Sequence, residues 1–566
     1  MSNIIINNNQ IICRKPMWEE EEVTTARSMW FKFDTDTMTC SIDLRTTFRK
    51  ALHGFFEYSY PAMWTQPQYM EEKRQLILDT DGIYKDINSK IIPIAKERLP
   101  WWKHMYAHQK QAVLSMYHRR VNMLSFQPRL GKTITAASLS VIHQIPRTLI
   151  ICYDIGKYNF LFDLTDPKWE GEGVIDRINF TILDRQKRKY LEAFDEKFVV
   201  VNYESLDKFM DYIFNGGMIG HIIISECQKM KNHTSKTFRN IYKILEHYPD
   251  VRVTFESGTP VMNRTNDMFA YLRAAHHPLG ENYADFKRQY SEVDRRHGTV
   301  TASINIPSLQ RRISNFVIRR TQDECTDMPR HNYINVYFEM GEWQSEYRKA
   351  IYDHLHDSGK LAIESAIHSI NLVMAKAKVP GIIEAIEALV ESGEKVVVFC
   401  SYSSPLEDMR SHFGDACIVI DGKNHDKMTD AKRFKEDPTC MVALCNTKAA
   451  GHTIDLSVSS NLYVVNFPLS PKELEQASDR VKNLAKHHPC NVHFCIALGN
   501  DNVQTVDERL RELIGGKDAD INWLLDGKEA KGVQEDVAEV LWREILLQYK
   551  SNEEAVGETV ATGPGE

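Results

Sequence analysis

The chain lacks the features that would commit it to a membrane, a disulfide scaffold or a basic surface. Its apolar residues never approach the ~18 in succession of a membrane span. Met1 to Gln10 is polar and asparagine-rich, without the charged-then-apolar order of a secretion signal. Eleven cysteines are scattered with no C-x-x-C pair, so no zinc site is expected. Cys152, Cys400, Cys417, Cys445 and Cys495 sit inside apolar runs and read as reduced core residues. The odd count suits a reducing compartment. Lys and Arg together number 70 against 77 Asp and Glu, a net charge of −7, so any surface for a polyanion must be a local patch. These absences predict an intracellular, cytoplasmic protein that touches no membrane.

What is present begins with length. The 566 residues allow roughly three to four domain-sized units, each able to bury a core. Arg129-Leu130-Gly131-Lys132-Thr133 organises the rest. It follows Val121 to Phe126, an apolar run that reads as a strand, and precedes Ile134 to Ile142, which reads as a helix. A strand, a tight loop and a helix N-terminus together cradle phosphate. Backbone N–H groups face the anion and the helix dipole favours it. Lys132 would reach the β- and γ-phosphates, and the Thr133 hydroxyl would hold magnesium. Arg129 can either help hold phosphate or crowd the loop.

From 121 to about 260 the pattern alternates. Strand-like runs fall at 121–126, 148–153, 178–183, 198–203, 221–225 and 251–255, with helix-length segments between them. Near-continuous apolar strands separated by helices predict a parallel sheet covered on both faces, which binds ligands at the carboxyl ends of its strands. Ser225-Glu226-Cys227-Gln228 follows one such strand. Glu226 there suits the orientation and deprotonation of an attacking water. Ser257-Gly258-Thr259-Pro260 follows the next and, alone, reads as a turn. Upstream, Gln109 lies about twenty residues before the phosphate loop. Its amide matches N6 and N7 of adenine, although a solvated glutamine at a helix start fits equally.

Taken in order, these stretches resemble the SWI/SNF-type (SNF2-like) branch of the superfamily-two helicases. Gln109 matches the adenine-reading motif, Gly131-Lys132-Thr133 the phosphate loop, and Val201 to Leu206 a strand motif. Ser225 to Asn232 resembles the acidic box, Ser257 to Pro260 with Asn263 the next motif, and Phe316 to Thr321 the exit from the first lobe. Further on, Thr447 to Leu456 resembles a backbone-contacting motif, and Gln476 to Arg480 the start of the last one.

The resemblance implies an α/β fold of two RecA-like parallel-sheet lobes with a small N-terminal accessory domain. It implies ATP with Mg2+, bound through Gln109, Arg129, Leu130, Gly131, Lys132, Thr133 and Gln476. The metal would be held by Thr133, Ser225 and Glu226. Lys132, Glu226 and Arg480 would be catalytic, Arg480 reaching across a cleft to the phosphates. Thr259, Thr447 and Lys448 would touch the nucleic-acid backbone. Three residues depart from the pattern: Arg129 replaces a glycine, Ser225 an aspartate and Asn483 a second arginine. Lys482 or Lys486 lacks the planar fork that would substitute for that arginine.

The expected organisation is an accessory domain over 1–98, lobe 1 over 99–320, and a hinge with helices over 321–378. Lobe 2 follows over 379–516, then a docking helix region over 517–550 and a disordered tail over 551–566. In the accessory domain, Met29 to Ile42 reads as a hairpin, Thr46 to Tyr58 and Met70 to Leu78 as helices, and Glu19 to Glu22 as a solvated face. Basic clusters at Arg185 to Lys189 and Arg319-Arg320 could add charge for DNA.

The expected function is an ATP-driven translocase or helicase on duplex or branched DNA. It would act as a monomer, with protein partners of replication or repair, and the compact chain suggests such a role or a viral one. The alternative is an ATP-binding DNA clamp of the same fold, weakened by the three departures.

Overall fold

The structure is a computed structural model. It describes residues 4–153, 160, 164–165, 180–183, 197–258, 260–261, 264–293, 300–325, 331–354, 360–421, 427–447, 456–467, 478, 481, 489–499, 504–511, 541–543 and 545. Two compact units result, one including Met1–Thr326 and the other Asp327–Asp520.

The first unit opens with an antiparallel sheet. Its strands β1 (Ile4–Asn7), β2 (Gln10–Arg14), β3 (Lys32–Asp34) and β4 (Thr39–Asp43) lie in the order β1-β2-β4-β3. The β3–β4 hairpin is the one expected around Asp34 to Thr37. The β1–β2 hairpin was not legible, because its strands are short and join through polar asparagines. The acidic run opens the helix Glu20–Ser28, with Glu19, Glu20 and Glu21 exposed as expected and Glu22 the exception. Glu22 is buried in it, bonds the Glu19 N–H at 3.1 Å and pairs with Lys15. The helix expected over Thr46 to Tyr58 is Arg49–Ser59, and the helix expected at Met70 continues to Arg98.

Arg119 fastens this region to the next layer. Its buried guanidinium bonds Asn122 Oδ1 at 2.8 Å, Asn315 Oδ1 at 3.1 Å and the Thr46 carbonyl, with its carbon 4.0 Å from the Phe48 ring centre. A charge buried among several acceptors is satisfied where an unpaired one would be costly.

The main sheet of this unit has seven parallel strands. They are β5 (Val121–Phe126), β6 (Thr148–Cys152), β7 (Phe180–Ile182), β8 (Phe198–Asn202), β9 (His221–Ser225), β10 (Arg252–Glu256) and β13 (Val317–Arg320). Their order is β13-β5-β10-β9-β6-β8-β7. A small hairpin, β11 (Ser291–Val293) with β12 (Val300–Ser303), lies outside it. β6, β8 and β9 are buried almost end to end, as strands covered on both faces must be. His221 ties two layers together: its ring nitrogens lie 2.7 Å from Ser140 Oγ and 2.9 Å from Thr254 Oγ1.

The second unit holds six parallel strands. These are β14 (Asn332–Glu339), β15 (Val396–Cys400), β16 (Cys417–Ile420), β17 (Val442–Asn446), β18 (Asn461–Val464) and β19 (Asn491–Leu498), in the order β14-β19-β18-β15-β17-β16. β14, inside the span expected to be hinge, is therefore an edge of this sheet, paired with β19 over eight residues. The helices expected over 321–378 are Gln344–Tyr352 and Lys360–Glu391, the second running past that span. Lys378 on the longer one is fully buried and donates to Asp507 Oδ2 at 2.5 Å, Val465 O at 2.5 Å and Cys495 O at 2.9 Å.

The docking helix region expected over 517–550 falls mostly outside the described residues, though Leu541, Trp542 and Ile545 are buried. Ten of the eleven cysteines are buried and Cys325 is half-buried, all as free thiols. Among the described residues no helix is long and apolar enough to cross a membrane.

Candidate nucleotide site

The site is built on the carboxyl ends of β5, β9 and β10. β5 ends at Phe126 and the loop Gln127–Gly131 follows. Two of its residues lie in the left-handed region, Arg129 at φ 67° and Gly131 at φ 74°. Gly131 caps the helix Lys132–Ile142, and its carbonyl accepts the Thr135 hydroxyl at 2.8 Å. Arg129 thus adopts a backbone that costs an L-residue roughly 1–2 kcal/mol and a glycine nothing. Lys132 Nζ donates to the Phe126 carbonyl at 3.1 Å, which folds its charge over the loop. Leu130 is buried by its side chain, so its backbone is the part that can meet a ligand.

Gln109 sits against this loop. Its Nε2 donates to the Leu130 carbonyl at 3.1 Å, and its Oε1 accepts the Tyr106 N–H at 3.0 Å. One N–H and one lone pair of the amide remain for a base edge. Gln109 is therefore a brace of the loop as well as a candidate adenine reader, and the solvated alternative is excluded by its burial. His108, not singled out from sequence, lies with Nε2 2.9 Å from the same Leu130 carbonyl. A carbonyl only accepts, so Nε2 carries the hydrogen.

β9 ends at Ser225. The next residue, Glu226, has φ 51°, a strained backbone of the kind that collects at functional sites. Gln228 Nε2 donates to Glu226 Oε2 at 2.7 Å, and Ser257 Oγ donates to Gln228 Oε1 at 2.6 Å. This relay fixes the candidate base from the loop after β10. Tyr203 O–H donates to the Ser225 carbonyl at 2.7 Å, which explains the strand motif around Val201. Arg319 donates to the Gly258 carbonyl at 2.9 Å, so it braces the loop after β10 rather than standing as free surface charge.

The structure adds a residue that sequence reading missed. Glu256 ends β10, one position beyond the run expected to stop at 255. It is buried, and its Oε1 has no hydrogen-bond partner. Burial raises its pKa to about 7, and the neighbouring Glu226 adds to the rise. Lys132 and the Ser225 hydroxyl oppose it. A charged residue closing a buried strand was the available sign.

Gln109, Arg129, Leu130, Gly131, Lys132, Thr133, Ser225 and Glu226 are thus all described on the first unit. The oxygen donors of Thr133, Ser225, Glu226 and Glu256 suit magnesium, a hard cation that takes oxygen ligands, and a partnerless buried carboxylate oxygen fits a cation nearby. Thr447 follows β17 in the second unit, its hydroxyl 3.5 Å from that of Ser401. Thr259, Lys448, Gln476, Arg480, Asn483 and the basic cluster at 185–189 lie outside the described residues.

Residues 108–389 match the SNF2-related domain family, and residues 378–483 match the helicase conserved C-terminal domain family. The chain belongs to the SNF2-like branch of the superfamily-two helicases. That branch consists of ATP-hydrolysing enzymes that act on nucleic acid.

Among named relatives, it is 24% identical over 404 residues to the SWI/SNF-related matrix-associated actin-dependent regulator of chromatin subfamily A-like protein 1 of Xenopus tropicalis. That match covers 69% of this chain and 41% of the relative. It is 22% identical over 429 residues to the DNA repair and recombination protein RAD54 of Saccharomyces cerevisiae, covering 64% and 45%. A solved structure titled Sulfolobus solfataricus SWI2/SNF2 ATPase core in complex with dsDNA aligns at 17% identity and a TM-score of 0.34. That alignment covers 75% of this chain and 92% of the other. The chain spans less than half the length of these two curated relatives.

Proposed function

We propose that this chain hydrolyses ATP with Mg2+ and couples it to movement along duplex or branched DNA, in replication, repair or recombination. One observation carries the reading: Lys132, whose Nζ rests on the last carbonyl of β5, and Glu226, the residue after β9, stand at the carboxyl ends of strands of one parallel sheet. Lys132 and the N–H groups opening its helix bind the β- and γ-phosphates. Glu226, held by Gln228, orients the attacking water and takes its proton. Bound magnesium would neutralise charge between the phosphates. Arg480 is assigned to charge developing on the transferred group, where such an arginine is worth roughly 10³-fold or more in turnover. DNA is engaged through its phosphates, with Thr259, Thr447 and Lys448 as candidate contacts and no base readout required. It works as a monomer alongside repair or replication proteins.

A second reading is favoured by Ser225 and by the strained Arg129: a clamp that binds ATP and DNA but scarcely turns over. Phosphate release with and without duplex DNA separates the two. The translocase reading expects stimulation by DNA, loss of that activity in Lys132→Ala and Glu226→Gln, and a fall of roughly 10³-fold in Arg480→Ala. No stimulation with nucleotide binding intact would establish the clamp instead.

A further inference from the structure

Ser225 stands where the acidic box it resembles carries an aspartate. In parallel strands, residues in register point to the same face. Ser225 on β9 is in register with Glu256 on β10, and Glu256 with Leu124 on β5. Glu256 therefore stands one strand nearer the phosphate loop, at the level where β9 offers only a hydroxyl.

Three further observations bear on its role. Glu256 is buried, yet Oε1 has no partner. Buried polar atoms in folded proteins are nearly all satisfied, and an exception calls for an unseen water or ion. Glutamate is almost never buried without pairing. Lys132 and Glu226, the cation and the candidate base of the site, both act electrostatically on this carboxyl, and the Ser225 hydroxyl, in register with it, favours its charged form. No apolar role explains an acid aimed among those groups.

We propose that the acid missing at position 225 has been transposed to the adjacent strand, so that Glu256 supplies the carboxylate of the magnesium shell and Ser225 positions it. The assignment rests on the ATPase reading and goes beyond it. It makes Ser225 part of a working exchange rather than a lesion, and assigns Glu226 to the attacking water.

The test reads metal binding without turnover. Mn2+ is titrated into protein saturated with a non-hydrolysable ATP analogue, and free Mn2+ is followed by electron paramagnetic resonance. Glu256→Gln, nearly isosteric, is expected to weaken Mn2+ binding at least ~10-fold while metal-free affinity for the analogue changes less than ~2-fold, as loss of a charged oxygen ligand requires. Ser225→Asp combined with Glu256→Gln moves the acid back to β9 and is expected to restore most of that loss. Wild-type Mn2+ affinity in Glu256→Gln overturns the assignment. So does a double variant that melts like the wild type but binds Mn2+ no better than Glu256→Gln. Wild-type protein that binds no nucleotide overturns the ATPase reading, and the assignment with it. A nucleotide-competent protein indifferent to Glu256 overturns the assignment alone.

Discussion

Gly131 carries two constraints at once. Its φ of 74° disfavours any Cβ, and a Cβ built there would fall 2.2 Å from Gln109 Nε2. The glycine therefore holds the loop and admits the side chain that braces it. Gly131→Ala should destabilise the unit by roughly 1–3 kcal/mol, part from backbone strain and part from displacing Gln109. The two parts separate in a double-mutant cycle by urea unfolding. In a Gln109→Ala background the Gly131→Ala cost should shrink by about 0.5 kcal/mol or more, leaving the strain. Strict additivity would mean that the two side chains do not share space. The residues of this loop were legible in sequence because phosphate binding is local chemistry, written in a few consecutive positions. Glu256 was not legible, because its meaning lies in the register of β10 against β9, which no single stretch encodes.

At the level of elements, the parallel strands were found because burial on both faces turns them into continuous apolar runs. The elements missed or cut short are half-exposed or short. The helix Met70–Arg98 was read only to Leu78, since Asp79, Asp81 and Gly82 blur its periodicity, and β1 and β2 are too brief to show alternation.

The buried histidine of β9 gives this level its own prediction. Burial holds the pKa of His221 well below 6.5, and it holds that of His143, bonded to the Tyr117 carbonyl, at about 4. Both bind a proton more readily when unfolded. Their contribution to stability is therefore complete above pH 6.5 and is lost as pH falls toward their folded values. Urea unfolding at steps from pH 7 to pH 4.5 should show falling stability. His221→Gln, less stable throughout, should show a shallower fall. An unchanged slope would mean that this imidazole does not resist protonation.

At the scale of the molecule, two parallel-sheet units were legible because each alternates strand and helix over a domain's length. The strand β14 was expected in a hinge, since sequence order alone does not reveal that it closes the edge of the second sheet beside β19. The molecular claim is that nucleotide chemistry on the first sheet drives movement along a duplex. Displacement of a third strand from triplex DNA tests this most directly, because only a protein travelling along the underlying duplex removes it. With ATP the wild type should release the third strand, whereas Glu226→Gln, or the wild type with a non-hydrolysable analogue, should leave it in place. Undiminished ATP hydrolysis with the third strand retained, or release without ATP, would contradict the account.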